Sequence, residues 1–251
     1  MTLMRAAVVA LLILVLTPLV NLAFAVPPAA LGRAIVDPAT LAAARTSLLA
    51  SAIAVGAATA LGVPAGYVLA RAGAQWRLAA LAVFSVPLAL PPVASGIVLL
   101  GLFSAGRPVG AALAARGVHV VDTLAGVTIA EFFVAGSIVV LAATAAFSTV
   151  ERRLEEAART LGAGPLRVLF TVALPLAAPA IGAGVLLAWL RAIGEYGATS
   201  LLAYHPTSLP IELVTALSAD GVPRALALSE ALAAMTALTV LVASLGGRRT
   251  V

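Results

Sequence analysis

The residues that could do chemistry in this chain are few, and many of them lie in one short stretch. Between positions 151 and 159 there are six charged side chains, in a protein of which only 10% of residues are charged. They are Glu151, Arg152, Arg153, Glu155, Glu156 and Arg159. Such a concentration of both signs in an apolar chain indicates that this stretch meets a polar environment, either solvent or the surface of another protein.

Four further ionisable residues interrupt apolar segments: Glu131, Arg191, Glu195 and Glu230. A charge at the centre of a membrane helix costs about 2.5 kcal/mol or more, so such residues are expected to be paired or functional. Arg191 and Glu195 are four positions apart and can neutralise each other on one helix face. The alternatives are an anion site made by Arg191, or a proton-carrying role for the three glutamates.

The residue types that are absent exclude several kinds of site. There is no cysteine, and all fifteen basic residues are arginines. Disulfides, thiolate chemistry and sulfur metal sites are therefore excluded, and so is a P-loop, whose phosphate-binding residue is a lysine. We predict no catalytic residue and no metal site. The arginines lie mostly in the connections between apolar segments, so they do not indicate a basic groove for nucleic acid.

The hydrophobic content is too high for a soluble core. Apolar residues make up 63% of the chain and the mean hydropathy is +1.15, values typical of membrane proteins. Because lipid offers no partners to backbone groups, we predict an all-α, polytopic membrane fold. The predicted spans are residues 6–26, 46–69, 78–103, 119–147, 175–203 and 223–245.

Glycine and proline mark special positions within these spans. Gly62 and Gly66 form a pair of small residues that favours close helix packing inside the bundle. Pro87, Pro91 and Pro92 remove three backbone donors from the third span, as expected where a helix breaks beside a water-lined path. The first span follows Arg5 and ends near Ala-Phe-Ala, but it is longer than a signal peptide, so we expect it to be retained.

The arginines predict the orientation. Six spans place both termini on one side, which also carries nine arginines, against five on the other. The positive-inside rule therefore predicts cytoplasmic termini. Residues 27–40, 106–118 and 204–222 are then predicted loops on the external side, and residues 149–172 form the longest cytoplasmic loop.

The pattern within residues 149–172 predicts two short helices. Ser148 with Glu151 fits a capping box, which would start a helix near Thr149. The helix would have an apolar face made by Leu154, Ala157, Ala158 and Leu161, and Glu155 would pair with Arg159. Gly162 suits a left-handed helix end, and Pro165 suits the first position of a second helix leading to Pro175.

The same loop carries a resemblance to a known family. Its pattern is Glu156-Ala157-Ala158, three residues, Gly162, nine residues, Val172, one residue, then Leu174-Pro175. This resembles the signature of the permease subunits of ATP-binding-cassette (ABC) importers, with Val172 in place of the common isoleucine. The resemblance extends from the second span to the sixth and implies one type I permease domain over residues 1–251.

The resemblance also implies partners. In that family the loop docks on a separate ATPase, so the residues expected to couple to it are Glu155, Glu156, Ala157, Ala158, Gly162 and Pro165. Two ATPase copies, a second permease copy and an extracytoplasmic binding protein complete the importer, in the inner membrane of a bacterium or archaeon. ATP and Mg²⁺ would bind to the partner ATPase, and this chain would bind no cofactor and would not be an enzyme.

Two further stretches are similar to the molybdate and tungstate branch and its sulfate relatives. One runs from Val86 to Gly96, and the other is Arg191-Ala-Ile-Gly-Glu-Tyr-Gly-Ala-Thr199. Tyr196 replaces the more usual phenylalanine. The residues implied for the path or gate are Pro91, Pro92, Ser95, Gly96, Arg191, Glu195, Tyr196, Gly197 and Thr199.

Other functions stay open on the sequence. Sulfate is the next substrate class after molybdate or tungstate, and thiamine and ferric-iron importers share the loop signature. A proton-driven secondary transporter using Glu131, Glu195 and Glu230 belongs to a different class, as does a membrane scaffold. Three glutamates against one arginine would hold a dianion weakly, so we expect selectivity to rest mainly with the binding protein.

Overall fold

The computed structural model describes residues 2–247, with side chains from residue 4 to residue 242, and all regular structure within them is helical. Five helices are long and apolar enough to cross a membrane, and a bent helix pair raises the number to six if it forms one span. The prediction of an all-α protein with about six spans is therefore confirmed.

The first three helices are α1 (Thr2–Ala25), α2 (Pro28–Val36) and α3 (Pro38–Arg71). The predicted loop at 27–40 is wrong, because its prolines start helices instead of interrupting them. Pro28 and Pro38 both lie in a first helical turn, where the missing N–H costs nothing. The Asp37 carboxylate completes the start of α3 by accepting a hydrogen bond from the Thr40 backbone N–H at 3.2 Å.

The predicted third span is two helices, α4 (Ala74–Ala89) and α5 (Pro92–Phe103), whose axes are bent by 107°. The break falls at Leu90 and Pro91, which have extended backbones. Pro87 lies inside α4, so two of the three prolines carry the bend. The predicted loop at 106–118 contains a short helix, α6 (Pro108–Ala114).

The centre of the bundle is α7 (Leu124–Ser148), which packs against both α3 and the later helix at Leu174–Ile193. The Thr123 hydroxyl accepts a hydrogen bond from the Gly126 N–H and so caps α7. The helix begins five residues after the predicted span, so Glu131 lies in its first third and not midway along it.

The close contact of α3 with α7 depends on the two glycines singled out in the sequence. A Cβ on Gly66 would lie 2.5 Å from the Ala143 Cβ and 2.8 Å from the Thr144 N, and one on Gly62 would lie 3.0 Å from Val139. The predicted packing role of this pair is confirmed.

The charged loop leads through α8 (Arg152–Thr160), α9 (Pro165–Val168) and a π-helical turn (Leu169–Ala173) into α10 (Leu174–Ile193). From Pro165 to Ile193 the chain forms one continuous apolar helical segment of 29 residues. The predicted fifth span, 175–203, is therefore wrong at both ends: the helix starts ten residues earlier and stops at Ile193.

The described part of the chain ends with α11 (Thr199–Leu202), α12 (Leu209–Ala219) and α13 (Val222–Gly247). The predicted loop at 204–222 is wrong, since it contains α12. The Ser47 hydroxyl on α3 accepts a hydrogen bond from the Leu209 N–H at 2.9 Å. Arg224 joins this region to the start of α3 by pairing with Asp37, Glu212 and Asp220.

Candidate functional site

The charged loop folds as two helices around a sharp elbow. Gly162 has φ +85°, the left-handed conformation predicted for a helix end, and its N–H donates to the Arg159 carbonyl at 2.9 Å. Pro165 occupies the first position of α9, also as predicted. The capping box is wrong: Ser148 belongs to α7 and donates to the Thr144 carbonyl, while Glu151 precedes α8 without a side-chain cap.

Glu155 is the anchor of this loop, because its side chain is only 1% exposed and faces the membrane helices. Its Oε1 accepts hydrogen bonds from the Arg71 Nε, at 3.0 Å, and from the Arg71 Nη2. Its Oε2 accepts from the Tyr67 hydroxyl at 3.0 Å and from the Arg159 Nη2 at 3.1 Å. The predicted Glu155–Arg159 pair is confirmed, and it is the more exposed part of a larger network.

The electrostatics of this network hold Glu155 in its charged form. Burial by itself would raise the pKa of Glu155, but the hydrogen bonds from Arg71 and Tyr67 and the charges of Arg71 and Arg159 outweigh burial, so the pKa is lowered. Glu155 therefore contributes to stability at neutral pH as a carboxylate.

Arg71 connects the anchor to a second helix end. Its Nη1 donates to the Phe147 carbonyl at 2.9 Å, and its Nη2 donates to the Val150 carbonyl at 3.3 Å. Phe147 lies in the last turn of α7 and Val150 follows it, where carbonyls lack the regular helical partner four residues ahead. One guanidinium at the end of α3 thus joins α3, α7 and α8, which only a planar fork of donors can do.

The outer side of the loop exposes apolar side chains among charged ones. Leu154 is 46% exposed, Leu161 89% and Leu166 72%. Glu156 and Ala157 are exposed beside them, and Ala158 is half-buried. We call Leu154, Ala157, Leu161 and Leu166 the leucine face. Of the two adjacent glutamates, Glu156 therefore lies at the surface and Glu155 does not.

The second set of predicted residues comes from two separate stretches that the fold brings into contact. A Cβ on Gly197 would lie 2.5 Å from the Pro92 Cβ, and one on Gly96 would lie 3.0 Å from the Ala198 Cα. The start of α5 therefore packs directly on residues 197–201, and both glycines are needed for that approach.

Arg191 and Glu195 form an ion pair on this second set, as the four-residue spacing predicts. Glu195 is 2% exposed, and its Oε1 also accepts a hydrogen bond from the Ala198 N–H at 2.8 Å. Buried Glu131, on α7, lies close enough to Glu195 for their charges to interact and lies beside Ser51 of α3. Among the described residues, the ion pair of Arg191 is with Glu195, and Glu131 is a second buried carboxyl group near that pair. Glu230 is on α13.

The remaining predicted path residues differ in their surroundings. Thr199 is buried, and its hydroxyl lies 2.9 Å from the Glu195 carbonyl, to which it donates. Ser95 is 1% exposed, and no described residue hydrogen-bonds its hydroxyl. Pro91 is exposed at the bend. Tyr196 is 37% exposed and borders a cavity of about 390 Å³ together with Tyr204 and Thr215.

Sequence reasoning missed two residues of the loop anchor, Tyr67 and Arg71. Both belong to the last turns of α3, far from the charged stretch in sequence. The available signal was the predicted orientation, since Arg71 and the loop are both predicted to lie on the cytoplasmic side. A pairing between positions 84 apart is not visible in any local pattern.

Comparison with known proteins decides the family. Residues 62–248 match the family described as the binding-protein-dependent transport system inner membrane component. The chain belongs to this family. It is a permease subunit of an ABC importer and a multi-pass membrane protein, and the match includes both stretches described above.

Relatives of this permease are found in archaea and bacteria. It is 40% identical to a probable molybdenum ABC transporter permease protein of Haloferax volcanii, over 90% of this chain and 81% of that protein. It is 35% identical to the molybdate/tungstate transport system permease protein WtpB of Pyrococcus abyssi, over 71% and 67% of the two chains. It is 36% identical to the molybdenum transport system permease protein ModB of Mycobacterium bovis, over 78% and 77%.

The permease also has the fold of solved transporters. A chain of a bacterial alginate ABC transporter, crystallised with an alginate-bound periplasmic protein, superposes with a TM-score of 0.73. The match covers 99% of this permease and 93% of that chain at 17% identity. This likeness supports the type I importer fold.

Proposed function

We propose that this permease imports molybdate or tungstate across the plasma membrane, driven by ATP hydrolysis on a separate subunit. The observation that carries the proposal is the charged loop, whose leucine face is exposed while Glu155 anchors its other side to α3 and α7. An exposed apolar surface rimmed by charges is typical of a protein interface. The names of three relatives favour molybdate or tungstate as the anion.

The loop is the proposed docking element for the ATPase. Glu156, Ala157 and the leucine face would meet the ATPase, and Gly162 and Pro165 would set the angle between α8 and α9. Two ATPase copies would bind ATP and Mg²⁺, with a second copy of this permease and an external binding protein. The positive-inside rule supports a cytoplasmic position for the loop and for both termini.

The proposed path runs beside the contact of α5 with residues 194–201. Transport by alternating access requires this contact to open and close, and it has no ion pair across it among the described residues: the Arg191–Glu195 pair lies within one segment. The bend at Pro91 separates α5, a helix of 12 residues, from α4, so a tilt of α5 would open the contact without moving α4. Pro92, Gly96, Gly197 and Ala198 would therefore form the gate.

Selectivity would rest mainly with the binding protein. Arg191 is committed to Glu195, and Glu131 adds a second carboxyl group beside them, so the cluster has no surplus positive charge to hold a dianion. Weak binding of the anion suits a permease, because the anion must dissociate again on the other side of the membrane. Sulfate, a similar tetrahedral dianion, is the alternative substrate.

The experiment measures uptake of labelled molybdate by cells that express the permease together with the ATPase and the binding protein encoded by neighbouring genes. We expect uptake that unlabelled tungstate inhibits strongly and sulfate weakly, and we expect the ATPase to co-purify with the permease. Stronger competition by sulfate would reassign the anion. Uptake by this chain alone, abolished by a protonophore, would support instead a proton-driven transporter using Glu131.

A further inference from the structure

A coupling loop must not only dock on an ATPase but also transmit its motion, and the structure offers two connections for this. The first is covalent and helical. From Pro165 the chain runs through α9 and the π-helical turn into α10 without a break. Motion of α9 along its axis would therefore be transmitted directly to α10.

The other half of the loop, α8, has no such helical connection to a membrane span. On one side the elbow at Gly162 separates it from α9, and on the other the extended residue Glu151 separates it from α7. The segment from Thr149 to Glu151 could bend under load. The side chain of Glu155 replaces the missing connection by crossing to Arg71 on α3.

The geometry of this crossing suits transmission of force. Glu155 is held by four donors from three side chains, and Arg71 uses its Nε, Nη1 and Nη2 on acceptors from both α7 and α8. The guanidinium carbon also lies 5.6 Å from the centroid of the Tyr67 ring, which packs edge-on against Phe147. Buried charge-assisted hydrogen bonds in a fixed fork resist displacement in several directions.

We propose that Glu155 and Arg71 form a clamp that makes α3 and α7 follow α8 when the ATPase moves it. This inference rests on the proposed function. In this role Glu155 and Arg71 are positioning residues, since neither lies on the leucine face nor beside the gate. ATP hydrolysis without the clamp would move α8 and α10 but would leave α3 and α7 behind, so ATP would be consumed with little transport.

The test measures anion transported per ATP hydrolysed, with the complete importer in proteoliposomes. Glu155→Gln keeps the shape of the side chain and removes its charge. We expect it to co-purify with the ATPase and hydrolyse ATP while transport per ATP falls about tenfold, the factor expected for loss of a hydrogen bond to a charged group. Arg71→Lys keeps the charge without the fork and should give an intermediate value.

Arg159→Ala is the matched control. It removes another partner of Glu155, but one whose side chain is 49% exposed and donates only to Oε2. Transport per ATP should fall much less than in Glu155→Gln, because Arg71 still joins α3 and α7 to the Glu155 carboxylate. A wild-type ratio in Glu155→Gln would overturn the proposal.

A distance measurement separates transmission from simple stability. The chain lacks cysteine, so spin labels can be placed on exposed residues at Val68→Cys of α3 and Thr160→Cys of α8. In the otherwise wild-type importer the distance between the labels should be the same without nucleotide and with ATP. In Glu155→Gln it should change on ATP binding, and an unchanged distance there would also overturn the clamp.

The two hypotheses can fail separately. If the labelled importer hydrolyses ATP but accumulates neither molybdate nor tungstate, the substrate is wrong, and the label distances still decide the clamp. If no ATPase co-purifies with the wild-type permease, the proposed function and the clamp are both wrong.

Discussion

Gly197 and Pro92 are in contact across the proposed gate, with room for no additional carbon atom: a Cβ on Gly197 would lie 2.5 Å from the Pro92 Cβ and 2.9 Å from the Val93 N. The two residues are more than a hundred positions apart and come from the two stretches that the sequence singled out separately. Their contact joins the bend after α4 to the segment that follows α10.

Gly197→Ala should therefore separate α5 from residues 197–201. Because backbone and a rigid proline ring oppose the added methyl group, we expect a loss of about 1–3 kcal/mol in the free energy of unfolding, typical of overpacking. Thermal unfolding of the purified permease measures it. Gly182→Ala on α10 is the control, since nothing lies within 4 Å of its added Cβ, and equal melting temperatures for the two variants would refute the contact.

The crossing of α3 and α7 gives a second prediction with a control on the same helix. Gly66→Ala would place a Cβ 2.5 Å from the Ala143 Cβ, so the helices must move apart and the melting temperature should fall. Gly56→Ala meets nothing within 4 Å and should stabilise α3 by about 0.5–1 kcal/mol through helix propensity. The prediction fails if both substitutions shift the melting temperature in the same direction.

The elbow should be sensitive to β-branched residues at one of its two glycines only. Gly162→Val must adopt φ near +85°, which costs an L-residue about 1–2 kcal/mol or more, so the elbow should straighten and the ATPase should no longer co-purify. Gly164→Val is the control, because Gly164 has φ −71° and nothing within 4 Å of an added Cβ. Retention of the ATPase by Gly162→Val would argue against docking through the elbow.

The lowered pKa of Glu155 predicts how the stability of the loop depends on pH. A carboxylate whose folded pKa lies below its unfolded value of about 4.3 stabilises the fold above that value, and the contribution is lost as the pH falls through the folded pKa. Wild type should therefore melt above Glu155→Gln at pH 7, and the gap should shrink in acid. Glu156→Gln, at an exposed position, should match wild type at pH 7, and a pH-independent gap for Glu155→Gln would contradict this account.

Arg191→Ala should impair assembly more than anion selectivity. It leaves Glu195 buried without its cation, and breaking a buried pair costs about 3–5 kcal/mol. Arg191→Ala combined with Glu195→Gln should recover part of that loss, since no uncompensated charge remains. Melting temperatures and the molybdate-to-sulfate uptake ratio are the measurements. An Arg191→Ala variant that assembles normally but prefers a different anion would show that Arg191 selects the substrate.

The sequence predicts what depends on local pattern and composition. Hydropathy predicts the helical membrane fold, and the left-handed Gly162, the start of α9 at Pro165 and the Arg191–Glu195 pair follow from spacing alone. Pro165, which follows Gly162 and Gly164, is predicted correctly as a helix start, whereas Pro28 and Pro38 start helices where the sequence predicts a loop. The predicted span also runs past the end of α10 at Ile193, because residues 201–203, after the polar stretch 194–200, are again apolar.

Long-range contacts are what the sequence could not supply. The sequence predicts only that Arg71 lies in a short loop, and its contact with Glu155 is visible only in the fold. The sequence also does not show that Glu155 is buried while Glu156 is exposed. The contact of Pro92 with Gly197 is likewise a product of the bend at Leu90 and Pro91. In each case the decisive quantity is the direction of a side chain across the bundle, which depends on how the helices pack.

The most direct test of the central claim is the simultaneous measurement of molybdate accumulation and phosphate release in proteoliposomes. The vesicles contain the permease and its ATPase, with ATP inside and the binding protein with labelled molybdate outside. We expect accumulation that requires ATP and the binding protein together, persists with a protonophore, and is inhibited by tungstate. Accumulation without ATP hydrolysis, or hydrolysis that never moves molybdate or tungstate, would contradict it.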